Sequence, residues 1–227
     1  MAVRALAFDV FGTLVDWRSG VAEAFRASAL PGDPEELADA WRRRYWPILA
    51  EVNDGSRPWG NFDELHLATL GDLLAERGED LGLEARQRLV EAWHRLEPWP
   101  DVRSGLEALR RERVTAALSN GDVALLVDLA RHGDVRFDCL LSAELAHAYK
   151  PAPEVYLTAG RLLGVQPDEL MMVASHPGDL AGARRAGLRT ALVERPLEYG
   201  PGSPERTDPD AEESVADLHE LADRLGG

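Results

Sequence analysis

Five short apolar runs, separated by helical patterns, constrain this chain more than any other feature. They are Val3 to Phe8, VTAALSN (Val114 to Asn120), FDCLLSA (Phe137 to Ala143), LMMVAS (Leu170 to Ser175) and RTALVE (Arg189 to Glu194). Each is nearly continuous in apolar character, as a parallel strand covered on both faces is. Between them lie SGLEALRRE, DVALLVDLARHG, PEVYLTAGRLLG and DLAGARRAG, all with helical spacing. Strands alternating with helices of this length predict an α/β fold, a Rossmann-like doubly wound parallel sheet. PLEYGPGSPERTDPD is expected to be a flexible loop, and AEESVADLHELADRL after it a closing helix.

A long insertion, Asp16 to Trp99, follows the first strand and contains no convincing strand. Its helix starts are well marked: Asp33-Pro34-Glu35-Glu36 supplies an N-cap, an early proline and a capping acid, and Asn61-Phe62-Asp63-Glu64 has the capping spacing. The expected organisation is a catalytic core of residues 1–15 and 100–227 with a helical cap of residues 16–99. Ligands of open α/β sheets sit outside the carboxyl ends of the strands, so a cap inserted there would hang over that crevice.

Composition narrows the partners. A net charge of −15 over 227 residues, with no long basic stripe, argues against nucleic acid and anionic lipid surfaces. No run approaches the roughly 20 apolar residues of a membrane span, and the N-terminus lacks a signal-peptide pattern, so a soluble cytoplasmic protein is expected. The one cysteine, Cys139, lies in an apolar run and is expected to be a buried structural thiol.

Four polar clusters fall at the expected carboxyl ends of strands. They are Asp9 with Thr13, Ser119 with Asn120, Lys150 in AYKPAP, and Ser175 with Asp179 in ASHPGD. Singly, each reads as a loop residue or a helix cap. Together they converge on one crevice, where a carboxylate can act as a covalent nucleophile, a lysine keeps it ionised, and hydroxyl, amide and backbone donors hold charged oxygens.

The order and spacing of DVFGTLVD, LSNG, YKPAPEVY and SHPGDLAGARRAGL resemble the haloacid dehalogenase superfamily over nearly the whole chain. Most of its members are magnesium-dependent phosphatases, so Phe11, two residues after Asp9, decides between branches. Phosphatases usually carry a second Asp there to protonate a departing alkoxide; a halide leaves without a proton. Ser175, four residues before Asp179, stands where phosphatases keep a metal-binding acid, and the remaining carboxylates beside Lys150 suit a hard dication poorly.

The chain therefore resembles most closely the (S)-2-haloacid dehalogenases, which implies hydrolysis of a short anionic 2-haloacid by water with no metal or other cofactor. In this resemblance Asp9 forms an ester with inversion, and water cleaves it at the Asp9 carbonyl carbon. Lys150 holds Asp9 and the substrate carboxylate, Thr13 and Ser119 position oxygens, Asp179 orients Lys150 and the water, and Tyr156 supports that network. From the cap, Arg42 receives the halide with Asn120, and Trp59 or Phe62 lines the cradle. Helical spacing with Leu37, Trp41, Ile48 and Val52 inward places Arg43 toward solvent and Arg44 on a flank. The subgroup also suggests a homodimer. Two positions depart from its pattern: His176 stands in place of an asparagine, as a water-orienting group or a base titrating near neutrality, and Gly178 in place of a bulky aromatic residue. The other five histidines carry no expected chemistry. Competing readings are a phosphatase without its usual acid and a non-catalytic binding protein of the same fold.

Overall fold

The computed structural model describes residues 2–28 and 30–226. Six strands form one sheet: β1 (Ala5–Phe8), β2 (Val114–Ser119), β3 (Cys139–Ser142), β4 (Leu170–Ala174), β5 (Arg189–Val193) and β6 (Glu213–Val215). All pair in parallel, in the order β3-β2-β1-β4-β5-β6. The central strands β1 and β4 are wholly buried, which is why their sequences are apolar without alternation. The chain leaves β1 toward β2 on one side and later returns to β4 on the other, and this reversal opens a crevice at the carboxyl end of β1.

Residues 16–99 contribute helices α1 (Trp17–Ser28), α2 (Pro34–Arg42), α3 (Tyr45–Asn53), α4 (Phe62–Arg77) and α5 (Leu83–Glu91). Both expected N-caps form: the Asp33 carboxylate accepts from Glu36 N at 2.9 Å, and Asn61 and Glu64 make a reciprocal capping box. The core supplies α6 (Val102–Arg110), α7 (Val123–His132), α8 (Pro153–Leu163), α9 (Pro177–Arg185) and α10 (Leu218–Leu225). The insert is tied to the core near the crevice. Asp122 accepts from the backbone N–H groups of Phe62 and Asp63 at the start of α4. Asn53 exchanges two hydrogen bonds of 2.8 Å with the backbone of Tyr149, beside Lys150.

Three expectations are corrected. The closing helix is only its second half, because Asp217 caps α10 by accepting from His219 N and Glu220 N, and the residues before it pair with β5 as β6. The single helical face from Leu37 to Val52 is broken between α2 and α3, since Pro47 has no N–H for the Arg43 carbonyl and its ring crowds that oxygen. Cys139 is half-buried, because β3 is an edge strand. No helix among the described residues is long and apolar enough to cross a membrane.

Candidate active site

Asp9 directly follows β1, and its backbone N–H donates to Val173 O on β4, so the sheet ladder itself fixes the carboxylate at the crevice. Its two oxygens are held differently. Oδ1 accepts from Lys150 Nζ at 3.0 Å; Oδ2 accepts from the Thr13 hydroxyl at 2.7 Å and lies 3.1 Å from His176 Nδ1. Lys150, only 2% exposed, also donates to Asp179 Oδ2 at 2.8 Å, and the Tyr156 hydroxyl donates to Asp179 Oδ1 at 2.6 Å. One ammonium thus bridges two buried carboxylates. Burial alone would raise the Asp9 pKa, but Lys150 and His176 outweigh it and hold the carboxyl far below the usual range. Burial penalises the Lys150 charge too, yet Asp179 and Asp9 raise its pKa. For Asp179 burial prevails and its pKa is raised, with Lys150 opposing.

His176 connects this network to a residue missed in the sequence. Its Nε2 is 3.0 Å from Oε1 of Glu198, which is 1% exposed and also accepts from Trp17 Nε1 at 3.0 Å and Arg206 Nη1 at 2.5 Å. Burial opposes charge on the ring, but Glu198 and Asp9 raise His176 to about 9, not near neutrality as expected for a base. Burial likewise opposes charge on Glu198, but His176 and Arg206 lower it to about 2. The loop expected to be flexible therefore delivers a charged group to the site. Gly12 makes room for it: φ is +85°, and a Cβ there would stand 2.2 Å from Glu198 Oε1.

The insert closes the crevice from above. A small cavity is lined by Asp9, Phe11, Arg42, Tyr45, Trp46, Asn120, Lys150, His176 and Asp179. Arg42 is 6% exposed, and its guanidinium lies 4.2 Å from the Tyr45 ring centroid and 5.3 Å from that of Trp17. Its Nε and Nη1 are buried without a hydrogen-bond partner. Such donors are costly to leave unmet, and an anion in the cavity would satisfy them. Phe11 stacks on Phe62 at 5.1 Å, an apolar wall. Asn120 Nδ2 donates to the Tyr45 hydroxyl at 2.9 Å and its Oδ1 accepts from Lys150 N at 2.8 Å, so this side chain spans insert and core.

The expected residues therefore fall into layers. Asp9, Phe11, Arg42, Asn120, Lys150, His176 and Asp179 line the cavity. Thr13 and Tyr156 support its carboxylates from behind. Ser175 N donates to Thr13 Oγ at 2.9 Å, and its own Oγ lies 3.2 Å from the same atom. The Ser119 hydroxyl accepts from Gly121 N at 3.0 Å, which shapes the turn holding Asn120 and gives it no hydrogen bond to Asp9. Trp59 stacks on Tyr149 and does not line the cavity, and Gly178 is exposed with open space where a Cβ would go. Arg43 is exposed, and Arg44 pairs with Glu76. Besides Glu198, the sequence reading missed Tyr45 and Trp46. Their only signal was an aromatic pair beside Arg42, and such pairs are ordinarily core. Among the described residues, no three His, Cys, Asp or Glu side chains come together to hold a metal ion.

Residues 3–187 match the family model of haloacid dehalogenase-like hydrolases. The chain is 32% identical over 203 residues to (S)-2-haloacid dehalogenase 1 of Pseudomonas sp. (strain CBS-3), covering 87% of this chain and 88% of that one. The crystal structure of the L-2-haloacid dehalogenase PA0810 superimposes with a TM-score of 0.93 at 45% identity, covering 99% of both chains. L-2-haloacid dehalogenase from Xanthobacter autotrophicus with chloropropionic acid covalently bound superimposes with a TM-score of 0.86 at 27% identity, again covering 99% of both.

Proposed function

The chain belongs to the haloacid dehalogenase-like hydrolases, and from that premise we propose that it hydrolyses a short (S)-2-haloalkanoic acid to the 2-hydroxy acid through an ester on Asp9, without a metal ion. The observation that carries this reading is the opposition of Asp9 and Arg42 in one small cavity, a strongly ionised carboxylate on one wall and unpartnered guanidinium N–H groups in an aromatic box on another. A displacement at carbon needs that pairing: electron density enters at one end and leaves at the other. The relatives named above support it, and so does the covalent adduct in the Xanthobacter enzyme.

In the first step Asp9 Oδ1 attacks C2 of the substrate from the side opposite the halogen. The new C–O bond forms as the C–halogen bond breaks, its electron pair leaves on the halide, and configuration inverts. Oδ1 is the better candidate because it takes one hydrogen bond where Oδ2 has two neighbouring donors. Arg42 receives the halide with Asn120, which lines the same cavity, and Lys150, which holds Asp9, meets the substrate carboxylate. The Lys150 ammonium lies between Asp9 and Asp179, so positive charge already stands between the two carboxylates.

Phe11 against Phe62 supports displacement of halide over phosphate ester cleavage, since it offers no proton to an alkoxide. The test is halide release from chloro-, bromo- and fluoro-acids, with and without chelator, beside a chromogenic phosphate ester. Halide release with chelator present is expected. Turnover of the phosphate ester alone, dependent on Mg²⁺, would replace this reading.

A further inference from the structure

Both ring nitrogens of His176 end on carboxylates, Nδ1 on Asp9 Oδ2 at 3.1 Å and Nε2 on Glu198 Oε1 at 3.0 Å. An ionised carboxylate offers only acceptors, so both nitrogens carry protons and the ring is an imidazolium. Glu198 is built to keep it so: a buried carboxylate, itself held by Trp17 and Arg206 and admitted to the site by the missing Cβ of Gly12. A base needs a free lone pair, and this ring has none. It has a donor, and that donor points at the reacting carboxylate.

The oxygen it meets is Oδ2, which also takes the Thr13 hydroxyl. If Oδ1 becomes the ester oxygen, Oδ2 becomes the ester carbonyl, and negative charge gathers on it when water adds to the Asp9 carboxyl carbon. Two donors already surround that atom, which is how a preorganised oxyanion site is arranged.

We propose that His176, kept charged by Glu198, is the oxyanion donor for hydrolysis of the Asp9 ester, and that Glu198 is a positioning residue for this second step. The proposal rests on the ester reading of Asp9. Water forms a bond to the Asp9 carboxyl carbon, and the tetrahedral intermediate collapses with cleavage of the bond to Oδ1. One water proton ends on the departing alkoxide; the other passes by way of Asp179 to solvent. His176 keeps its proton throughout, and Asp9 is restored as a carboxylate.

The charged groups around His176 are Asp9 and Glu198 in contact, Lys150, Asp179 and Arg42 on the same cavity, and Arg206 on the far oxygen of Glu198. Esterification removes the Asp9 charge but leaves Glu198, so the ring stays protonated near neutral pH during the second step. As pH rises the proton is lost, and the oxyanion donor with it.

The experiment is rapid-quench kinetics with (S)-2-chloropropionate, reading halide and the Asp9 adduct by mass spectrometry. His176→Ala should release one halide per active site in a burst, accumulate the adduct, and hydrolyse it about a hundredfold more slowly, the scale of one lost oxyanion donor. In the wild-type protein, adduct hydrolysis should slow as pH rises above neutrality, and Glu198→Gln should move that fall to lower pH. A hydrolysis rate that climbs with pH would identify His176 as a base and overturn the proposal, as would His176→Ala with no accumulated adduct. The wild-type profile decides the matter even where a variant fails to fold. No halide and no adduct from the wild-type protein would overturn the dehalogenase reading itself, and this proposal with it.

Discussion

The guanidinium of Arg42 lies 4.2 Å from the ring centroid of Tyr45, and the two line a cavity whose other wall carries Asp9. Tyr45 stands at the start of α3, just past the break that Pro47 forces between the two helices. The break places an aromatic face and a cation from neighbouring helices against each other, over the strand end where Asp9 sits.

Arg42→Ala should lower kcat by about 10²–10³ with a smaller change in KM, because charge reaches the halogen mainly in the transition state. Arg42→Lys should recover only part of the rate, since an ammonium does not reproduce the planar fork. Arg43→Ala should change little, its side chain being exposed, and Arg44→Ala little more, since its partner is Glu76. Steady-state kinetics of the four variants check this; equal mild losses at all three arginines would remove Arg42 from the halide site.

Lys150→Met should abolish turnover and also destabilise the fold. Without the ammonium, Asp9 and Asp179 are two buried carboxylates with no shared counter-charge. Breaking such a buried arrangement costs about 3–5 kcal/mol. Urea unfolding at neutral pH measures the loss, and Asp179→Asn in the same background should return part of it by removing one of the stranded charges.

Exhaustive dialysis against chelator should leave the rate of halide release unchanged, because the charge between the two carboxylates comes from Lys150. A rate that collapses and returns with added Mg²⁺ would contradict this.

Stability should fall between pH 6.5 and about 9, in part through His94, which bridges Asp63 on α4 to Asp128 on α7. The hydrogen bond to Asp63 raises its pKa from 6.5 to about 9, against burial and with help from Asp128. A raised histidine contributes fully below its unfolded value and loses that contribution as pH rises through the folded one. His94→Gln should flatten the pH dependence of the unfolding midpoint over this window. An unchanged slope would exclude His94 as a source.

Most of the fold could be read from sequence because its signals are local. The strands are buried on both faces and so are apolar throughout, and Asp33 and Asn61 sit at cap positions with the expected acids after them. β6 was hidden because an edge strand of three residues needs little apolar character, and the better signal nearby was the Asp217 cap. Asp9, Lys150 and Asp179 were legible because each lies beyond the carboxyl end of a strand whose apolar run is itself plain in the sequence. Glu198 was not, since nothing in a loop rich in proline and glycine says that it folds back across the chain to Gly12 and His176. The aromatic box around Arg42 was invisible for a related reason: its rings come from separate segments of the chain.

The most direct test of the central claim is a single turnover in heavy-oxygen water with enzyme in excess over (S)-2-chloropropionate. If Asp9 forms the ester and water cleaves it at the carboxyl carbon, the label enters Asp9 and the first equivalent of 2-hydroxy acid is unlabelled. Label in that first product, with Asp9 unlabelled, would mean that water attacks the substrate directly and would contradict the account.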